Sequence, residues 1–478
     1  MEAKGFGKSD GGTDAPHVVL LATPGAGHLI PLAELAKLLV ARHGFSVTII
    51  SFTVFASKAQ DALLSSLAPP IASLVLPAVP FDDLPPDSPI ETIMSVVVVR
   101  SLPTLRAELS RLQASFNVLA LVADLFGTDS FAVARDLGLP PYLFFPSNLL
   151  ALSLFIHLPE LDASIACEYR DLPEPLRLPG CVPIPGPDLL HPIQDRSNEV
   201  YRWILHHGRQ YRDAEGIIVN SFEAFEPDAA KVLKQSEPGQ IPLYLVGPLT
   251  QSRAAGAEED AECLRWLDKQ PVGSVLFVSF GSGGALTTAQ MAELALGLEM
   301  SGQRFLWVVR SPSDGGNSSA NYFTTQSKAD PFPFLPAGFL ERTREVGLLI
   351  PSWAPQVAVL SHAATGGFLS HCGWNSTLES VKAGVPIIAW PLFAEQRQNA
   401  VMLAEGAKIA LRLRAAEDGL VPREEVARVV KELMEGEEGK AARRRVSGLQ
   451  EEALRGLEEG GAALEALDEV VNKWKSRN

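Results

Sequence analysis

Cysteine is scarce. The 478-residue chain carries four, Cys167, Cys181, Cys263 and Cys372, with no CxxC pair and no other metal-ligand spacing among them. That excludes a disulfide-stapled scaffold and a thiolate metal site, and it suits a reducing compartment. Cys372 reads as a small packed residue. Positive charge is in deficit too, with 41 Lys and Arg against 56 Asp and Glu and a net charge of −15. So acidic a chain is not expected to bind nucleic acid or an anionic membrane surface. Long apolar runs are also missing. The uncharged run from Leu137 to Pro159 is broken by Pro140, Pro141 and Pro146 and carries Asn148 and His157, so it reads as a buried strand and helix rather than a membrane span. Residues 1–15 are polar and glycine-rich without the apolar core of a signal peptide, and a cytoplasmic location is expected.

What is present is a globular composition, 46% hydrophobic and 20% charged, on a chain too long for one core. Two domains of about 200 residues are expected. His17 to Thr23 (HVVLLAT) is a short apolar run of the buried parallel-strand kind; a helix pattern from Ile30 to Gly44 follows, then a second apolar run, Phe45 to Phe52, which makes a βαβ unit. Val118 to Asp124 is another buried strand, which puts Asp124 on the same strand-end rim as His28. Residues 158–200 are proline-rich and irregular, with PGCVPIPGPDLL as a surface loop. Ala214 to Asn220 and Tyr244 to Pro248 read as strands that close the first half. The acidic run Thr250 to Glu262 loses all periodicity, so residues 1–249 and 263–455 are expected as domains with 250–262 as linker. In the second half, Val275 to Phe280 is a strand, Gly281 to Gly284 a phosphate-permissive turn, Thr288 to Gly302 a helix and Phe305 to Arg310 a strand, ahead of a polar loop, Ser311 to Asp330. Helical patterns follow at Glu395–Glu405, Arg423–Glu435 and Lys440–Trp474.

Two nucleotide motifs fail on inspection. Gly25-Ala26-Gly27 lacks the third glycine of a dinucleotide fingerprint, which is Ile30 here, and no acidic residue ends the second strand. This disfavours a nicotinamide-dependent oxidoreductase. Gly7-Lys8-Ser9 has Glu2 where a Walker loop needs glycine and no strand before it.

Chemistry concentrates between Trp353 and Gln396. An apolar run, Gly367 to Ser370, meets a polar turn, His371 to Asn375; a helical segment follows, then a second apolar run, Ile387 to Trp390. Ser376 followed three residues later by Glu379 predicts a capping box, with the helix starting at about Ser376 and stopped by Gly384 and Pro386. A helix start after a parallel strand offers backbone N–H groups to an anion. His371, Trp374 and Asn375 stand around it.

The stretch from 353 to 396, with WAPQ at its start, HCGWNS and its downstream Glu in the middle and AEQ at its end, closely resembles the signature box of plant family 1 UDP-sugar glycosyltransferases. ATPGAGHLIP, LVADLFG and VSFGSGG resemble that family as well, and within it the group that acts on hydroquinone, phenols and monolignols. The resemblance implies an α/β fold of two facing Rossmann-like domains, GT-B type, with the active site in the cleft between them and residues 456–478 packing back on the first domain as a helix. It implies His28 as general base assisted by Asp124, with inversion at the anomeric carbon. On the donor side, Trp353 would stack on uracil and the Ala354 backbone and Gln356 would hold base and ribose. His371, Gly373, Trp374, Asn375, Ser376 and Ser282 would meet the diphosphate, and Glu395 and Gln396 the sugar. Glu379 would take the ribose hydroxyls, in competition with its capping-box role unless one carboxylate oxygen serves each. Glu91, Phe126 and Asn148 are candidate acceptor contacts in a mostly apolar pocket. No DxD motif occurs in the sequence. Charge on the leaving diphosphate would then be met by the helix start and its neighbours, with no metal and no cofactor; UDP-glucose is a co-substrate. A small phenolic acceptor, no nucleic-acid partner, no integral membrane association and a monomer are expected. The remaining alternative is a nucleotide-sugar binding protein without catalysis, should His28 and Asp124 fail to meet.

Overall fold

Continuous Val, Ile, Leu and Phe runs suit strands covered on both faces, and they build two all-parallel sheets. The computed structural model describes residues 15–56, 58–235, 240–251, 262–314 and 330–477. Most of the expected linker 250–262 and of the expected loop 311–330 lies outside the described residues. The described parts of Met1–Pro187, Pro192–Gln251 and Arg455–Asn478 form one compact unit, and those of Asp188–His191 and Ser252–Leu454 a second.

In the first unit the strands are β1 (Pro16–Leu21), β2 (Ser46–Phe52), β3 (Ile71–Leu76), β4 (Asn117–Asp124), β5 (Pro141–Phe145), β6 (Ile217–Val219) and β7 (Leu243–Leu245), in sheet order β3-β2-β1-β4-β5-β6-β7. In the second they are β8 (Val275–Ser279), β9 (Arg304–Val309), β10 (Gly347–Pro351), β11 (Thr365–Ser370), β12 (Ile387–Ala389) and β13 (Ala410–Arg412), in order β10-β9-β8-β11-β12-β13. Both sheets start in the middle, run outward to one edge, then return and run to the other. Each therefore has a switch point, between β1 and β4 in the first and between β8 and β11 in the second, where the connecting loops diverge and leave a crevice beyond the strand ends. Both are Rossmann-like, and the register of β1 on β4 ends at Leu21 opposite Ala123, that of β8 on β11 at Ser279 opposite Ser370.

The helix after β1 spans Ala26–His43, earlier than its apolar spacing predicts, because Gly25 at φ 124 lets the chain turn directly out of the strand. The apolar face Leu29, Leu32, Leu35, Ala36 and Leu39 packs on Val18, Leu20, Val47 and Ile49. The uncharged stretch from Leu137 does form a strand and a helix, β5 and Leu149–Ser164. The proline-rich segment after it does more than drape over a surface. Leu176 and Ile184 pair as an antiparallel bridge, and Ile184 and Leu189 are fully buried. The helical pattern Lys440–Trp474 is two helices, Glu437–Gly456 and Ala462–Lys475, because Gly460 takes φ 75 and Gly461 serves as the next N-cap. The pattern Glu395–Glu405 is an α-helix, Gln396–Val401, continued by one wide π-turn.

From Arg455 onward the chain belongs to the first unit. Leu467, Val470, Val471 and Trp474 enter the core beneath the first helix, and the fully buried Trp474 ring meets Phe45 and Tyr142 edge-on with centroids 5.9 and 5.5 Å away. Ion pairs from Arg42 to Asp468 and Glu459 lie at the surface, where such pairs contribute little. The indole is the anchor, although its Nε1 has no hydrogen-bond partner. Trp474→Ala is expected to cost about 3–5 kcal/mol. Trp474→Phe should cost clearly less, since it keeps most of the ring and removes the unpaired N–H. Chemical denaturation of both variants measures this, and an Ala variant as stable as the parent would remove the helix Ala462–Lys475 from the list of core elements.

Candidate active site

At the first switch point the Asp124 carboxylate ends β4 in full burial. A buried charge is tolerated only when donors surround it, and four do. Thr23, just past β1, gives its backbone N–H to Oδ2 at 2.8 Å and its hydroxyl to the carboxylate at 2.6–2.7 Å. The Phe126 N–H reaches Oδ1 at 3.2 Å. The fourth donor is His28, whose Nδ1 lies 3.1 Å from Oδ2. A carboxylate can only accept, so the proton of a neutral His28 sits on Nδ1 and Nε2 keeps a lone pair. Its ring, on the third residue of the Ala26–His43 helix, is 20% exposed. His28 and Asp124 therefore meet, and the arrangement matches a base oriented by a buried acid. Thr23 escaped sequence reasoning; its only signal was a polar residue closing an apolar strand.

The candidate acceptor residues fare differently. Phe126 is buried with its ring 5.8 Å from that of His28. Glu91 is half-buried in the first turn of the helix Ile90–Ser115. Asn148 is fully buried and its Oδ1 caps the helix Leu149–Ser164 through Ala151 N–H at 2.8 Å, so that oxygen has a structural task. Glu226 completes the cap, accepting from the N–H groups of Leu149 and Leu150 at 2.8 Å each.

At the second switch point His371 follows β11 and lies against the glycine turn after β8. Burial pushes its imidazole down to about 4, so the ring is neutral near pH 7. Glycine is obligatory on both sides of it. A Cβ on Gly281, which has φ 72, would come within 2.6 Å of the ring, and one on Gly373 within 2.4 Å. Ser282 is exposed on that turn, whose carbonyls at Gly281 and Ser282 are held by the Arg310 guanidinium. Cys372 takes the left-handed region at φ 63, its carbonyl held by Asn399 Nδ2 at 2.9 Å. Its thiol is buried and pushed up to about 12, an inert group, as its packing role predicts.

The helix of the signature stretch spans Trp374–Ala383 with Gly373 at the N-cap and no side-chain cap. The predicted capping box does not form. Ser376 is already inside the first turn, and Gln356 occupies both of its members: Nε2 donates to Ser376 Oγ at 2.8 Å and to Glu379 Oε2 at 2.7 Å. Burial raises the Glu379 carboxyl to about 7, and the Gln356 hydrogen bond opposes it. The N–H groups of Trp374, Asn375 and Ser376 precede the first bond of the helical ladder, Thr377 N to Gly373 O. Trp353 stands 68% exposed after β10, an unusual place for an indole, while Ala354 beside it is buried. Glu395 is the N-cap residue of the helix Gln396–Val401, and the Gln396 Oε1 accepts from the N–H groups of Leu392 and Phe393 at 2.9 and 3.1 Å. Loop 392–393 is thus tied to Gln396, a link the sequence did not announce.

Among the described residues no three His, Cys, Asp or Glu side chains come together as metal ligands, and no helix is long and apolar enough to cross a membrane.

Comparison with known proteins agrees with this geometry. Residues 254–453 match the family model described as UDP-glucoronosyl and UDP-glucosyl transferase. The chain is 53% identical over 463 residues to hydroquinone glucosyltransferase of Rauvolfia serpentina, covering 97% of this chain and 98% of that protein. It is 54% identical to UDP-glycosyltransferase 72B1 of Arabidopsis thaliana, covering 96% of each. Among solved structures, UGT2 of Phytolacca americana, complexed with UDP-2-fluoro-glucose and pterostilbene, superposes with a TM-score of 0.89 at 51% identity over 96% of this chain and 100% of that one. A UDP-glucosyltransferase of Polygonum tinctorium capable of glucosylating indoxyl does so with 0.90 at 49% identity, covering 97% of this chain and 99% of that one. With two Rossmann-like units and relatives more than 50% identical over nearly its whole length, the chain belongs to the UDP-glycosyltransferase family.

Proposed function

We propose that the protein transfers glucose from UDP-glucose to the hydroxyl of a small phenolic acceptor with inversion, giving a β-glucoside. The carrying observation is the His28–Asp124 hydrogen bond, which leaves Nε2 of a partly exposed ring able to accept a proton. His28 Nε2 takes the phenol proton as the phenol oxygen bonds to the anomeric carbon. The bond from that carbon to the UDP oxygen breaks with its electron pair going to the diphosphate, and attack from the opposite face inverts the centre. Asp124 holds the tautomer and stabilises the imidazolium formed.

The donor is assigned to the second unit. Trp353 supplies a stacking face for uracil, Ala354 and Gln356 meet base and ribose, and Glu379 takes the ribose hydroxyls. For Glu379 the structural support is that the capping box is absent, so the carboxylate is not tied to the helix N-cap, and the Gln356 bond falls on Oε2. Ser282, His371, Gly373 and the helix start at Trp374, Asn375 and Ser376 stabilise the diphosphate. Glu395 and Gln396 share the sugar hydroxyls, and the Gln396 amide nitrogen is the end for this task because its oxygen holds the loop. Phe126 and, less directly, Glu91 line the acceptor side. The relatives named for hydroquinone and complexed with pterostilbene support a phenolic acceptor. The protein is further read as a cytosolic monomer; four free cysteines suit a reducing compartment.

Incubation with UDP-glucose and a panel of phenols, followed by mass spectrometry, should show addition of one hexose, and no product with any phenol would overturn the reading. His28→Ala should leave UDP-glucose binding nearly unchanged while turnover falls by about 10² to 10⁴; full activity toward the least acidic phenol would require another base. With equal UDP-glucose and UDP-galactose in competition, the glucoside should dominate, because buried polar groups matched to one epimer are left unpaired by the other. Activity should also survive exhaustive chelation by EDTA, since the sequence has no DxD pair and the helix start supplies fixed positive charge. Loss with EDTA and restoration by magnesium or manganese would refute this account of the leaving group.

A further inference from the structure

A second histidine lies behind the site, and the mechanism above gives it no task. His207 sits on the helix Glu199–Gln210, fully buried, at the third position of the apolar face Val200, Ile204, His207 and Tyr211. A histidine on such a face normally gives way to a hydrophobic residue, yet this one is bonded at both ring nitrogens. Nε2 is 2.9 Å from Ser95 Oγ and Nδ1 is 2.7 Å from Thr128 Oγ1. The Ser95 hydroxyl donates to the Glu91 carbonyl at 2.7 Å, and with its proton so used Nε2 carries the ring proton toward Ser95. Nδ1 of the neutral ring is then the acceptor, and Thr128 donates. Burial pushes this imidazole down to about 3, so the ring stays neutral near pH 7.

The two hydroxyls belong to different elements. Ser95 is on the helix Ile90–Ser115, one turn after Glu91, and Thr128 is on the loop that follows β4 and carries Phe126. His207 therefore joins three pieces of the first unit. Its ring also stands edge-on to Phe126, centroids 5.5 Å apart, while the Phe126 ring is 5.8 Å from His28. Trp203 backs His207, stacked at 6.0 Å. The sequence runs His28, Phe126, His207, Trp203, each ring against the next.

We propose that His207 is a positioning residue for the acceptor: it fixes the Phe126 ring beside His28, and so fixes where a phenol presents its hydroxyl to the base. This rests on the reading of His28 as base and of Phe126 as acceptor wall. A misplacement of the reacting hydroxyl by a fraction of an ångström lowers the rate without touching donor affinity.

The test is a double-mutant cycle in the full-length protein with a phenol acceptor and UDP-glucose. His207→Ala is expected to lower kcat/KM for the phenol about tenfold, with KM for UDP-glucose within about twofold. His207→Asn, whose amide oxygen can still accept from Thr128, should recover part of the loss. Phe126→Ala combined with His207→Ala should cost no more than Phe126→Ala alone, because the second residue acts only through the first. If the two losses multiply, or if His207→Ala leaves phenol kinetics unchanged, the proposal is wrong. If His207→Ala fails to fold, the same cycle with His207→Asn decides by the same criterion. Failure of the base assignment is seen separately, as retained turnover in His28→Ala, and leaves the coupling between His207 and Phe126 as a measurable quantity of its own.

Discussion

Everything chemical in the first unit depends on one buried anion. Asp124 ends a strand in full burial, and a carboxylate in that position is stable only if nearly every lone pair is met. Two backbone N–H groups, one hydroxyl and one imidazole meet them, and they come from both sides of the β1/β4 crevice. The strand order brings Thr23 and Asp124 together across 101 residues of sequence, and the helix after β1 then has one place for His28. The donor set is thus a constraint on the fold and an orienting device for the His28 ring at once. Removing any donor both exposes the charge to an unpaired state and loosens the ring.

The second unit solves the opposite problem. It collects no anion of its own at the switch point and instead keeps His371 neutral by burial, between two glycines that lack the Cβ which would strike the ring. Around it stand the backbone N–H groups of the helix start, the Ser282 hydroxyl and the Arg310 guanidinium that holds the glycine turn. One unit therefore holds a buried carboxylate and the other a buried neutral imidazole beside a helix start, and the proposed reaction assigns proton removal to the first and diphosphate stabilisation to the second.

Much of this was legible in the residues. Apolar runs of four to eight residues mark the strands, and the terminal residues of those runs name the rims where His28, Asp124 and His371 stand. The legible part is local: periodicity, strand ends, glycine stops. What was missed is what depends on a distant partner. Ser376 and Glu379 have the spacing of a capping box, but Gln356, 20 and 23 residues away, takes both of them, and the helix begins on Gly373 instead. The sequence marks Asn148 as a polar residue in an apolar stretch but does not show that its Oδ1 caps a helix. The break in the last helical stretch had a signal, three glycines within six residues, that charge alternation obscured.

The return of the chain into its first unit has a consequence for biosynthesis. The core around Phe45 and Tyr142 lacks its largest ring until Trp474 has been made, after the whole of the second unit. The first sheet emerges early and must wait with that side of its core uncovered, while the intervening second unit, which carries its own strands and helices, has the chance to fold before it. Order of synthesis and order of completion are therefore reversed, and the chain spends its translation time with an apolar face that a chaperone can recognise.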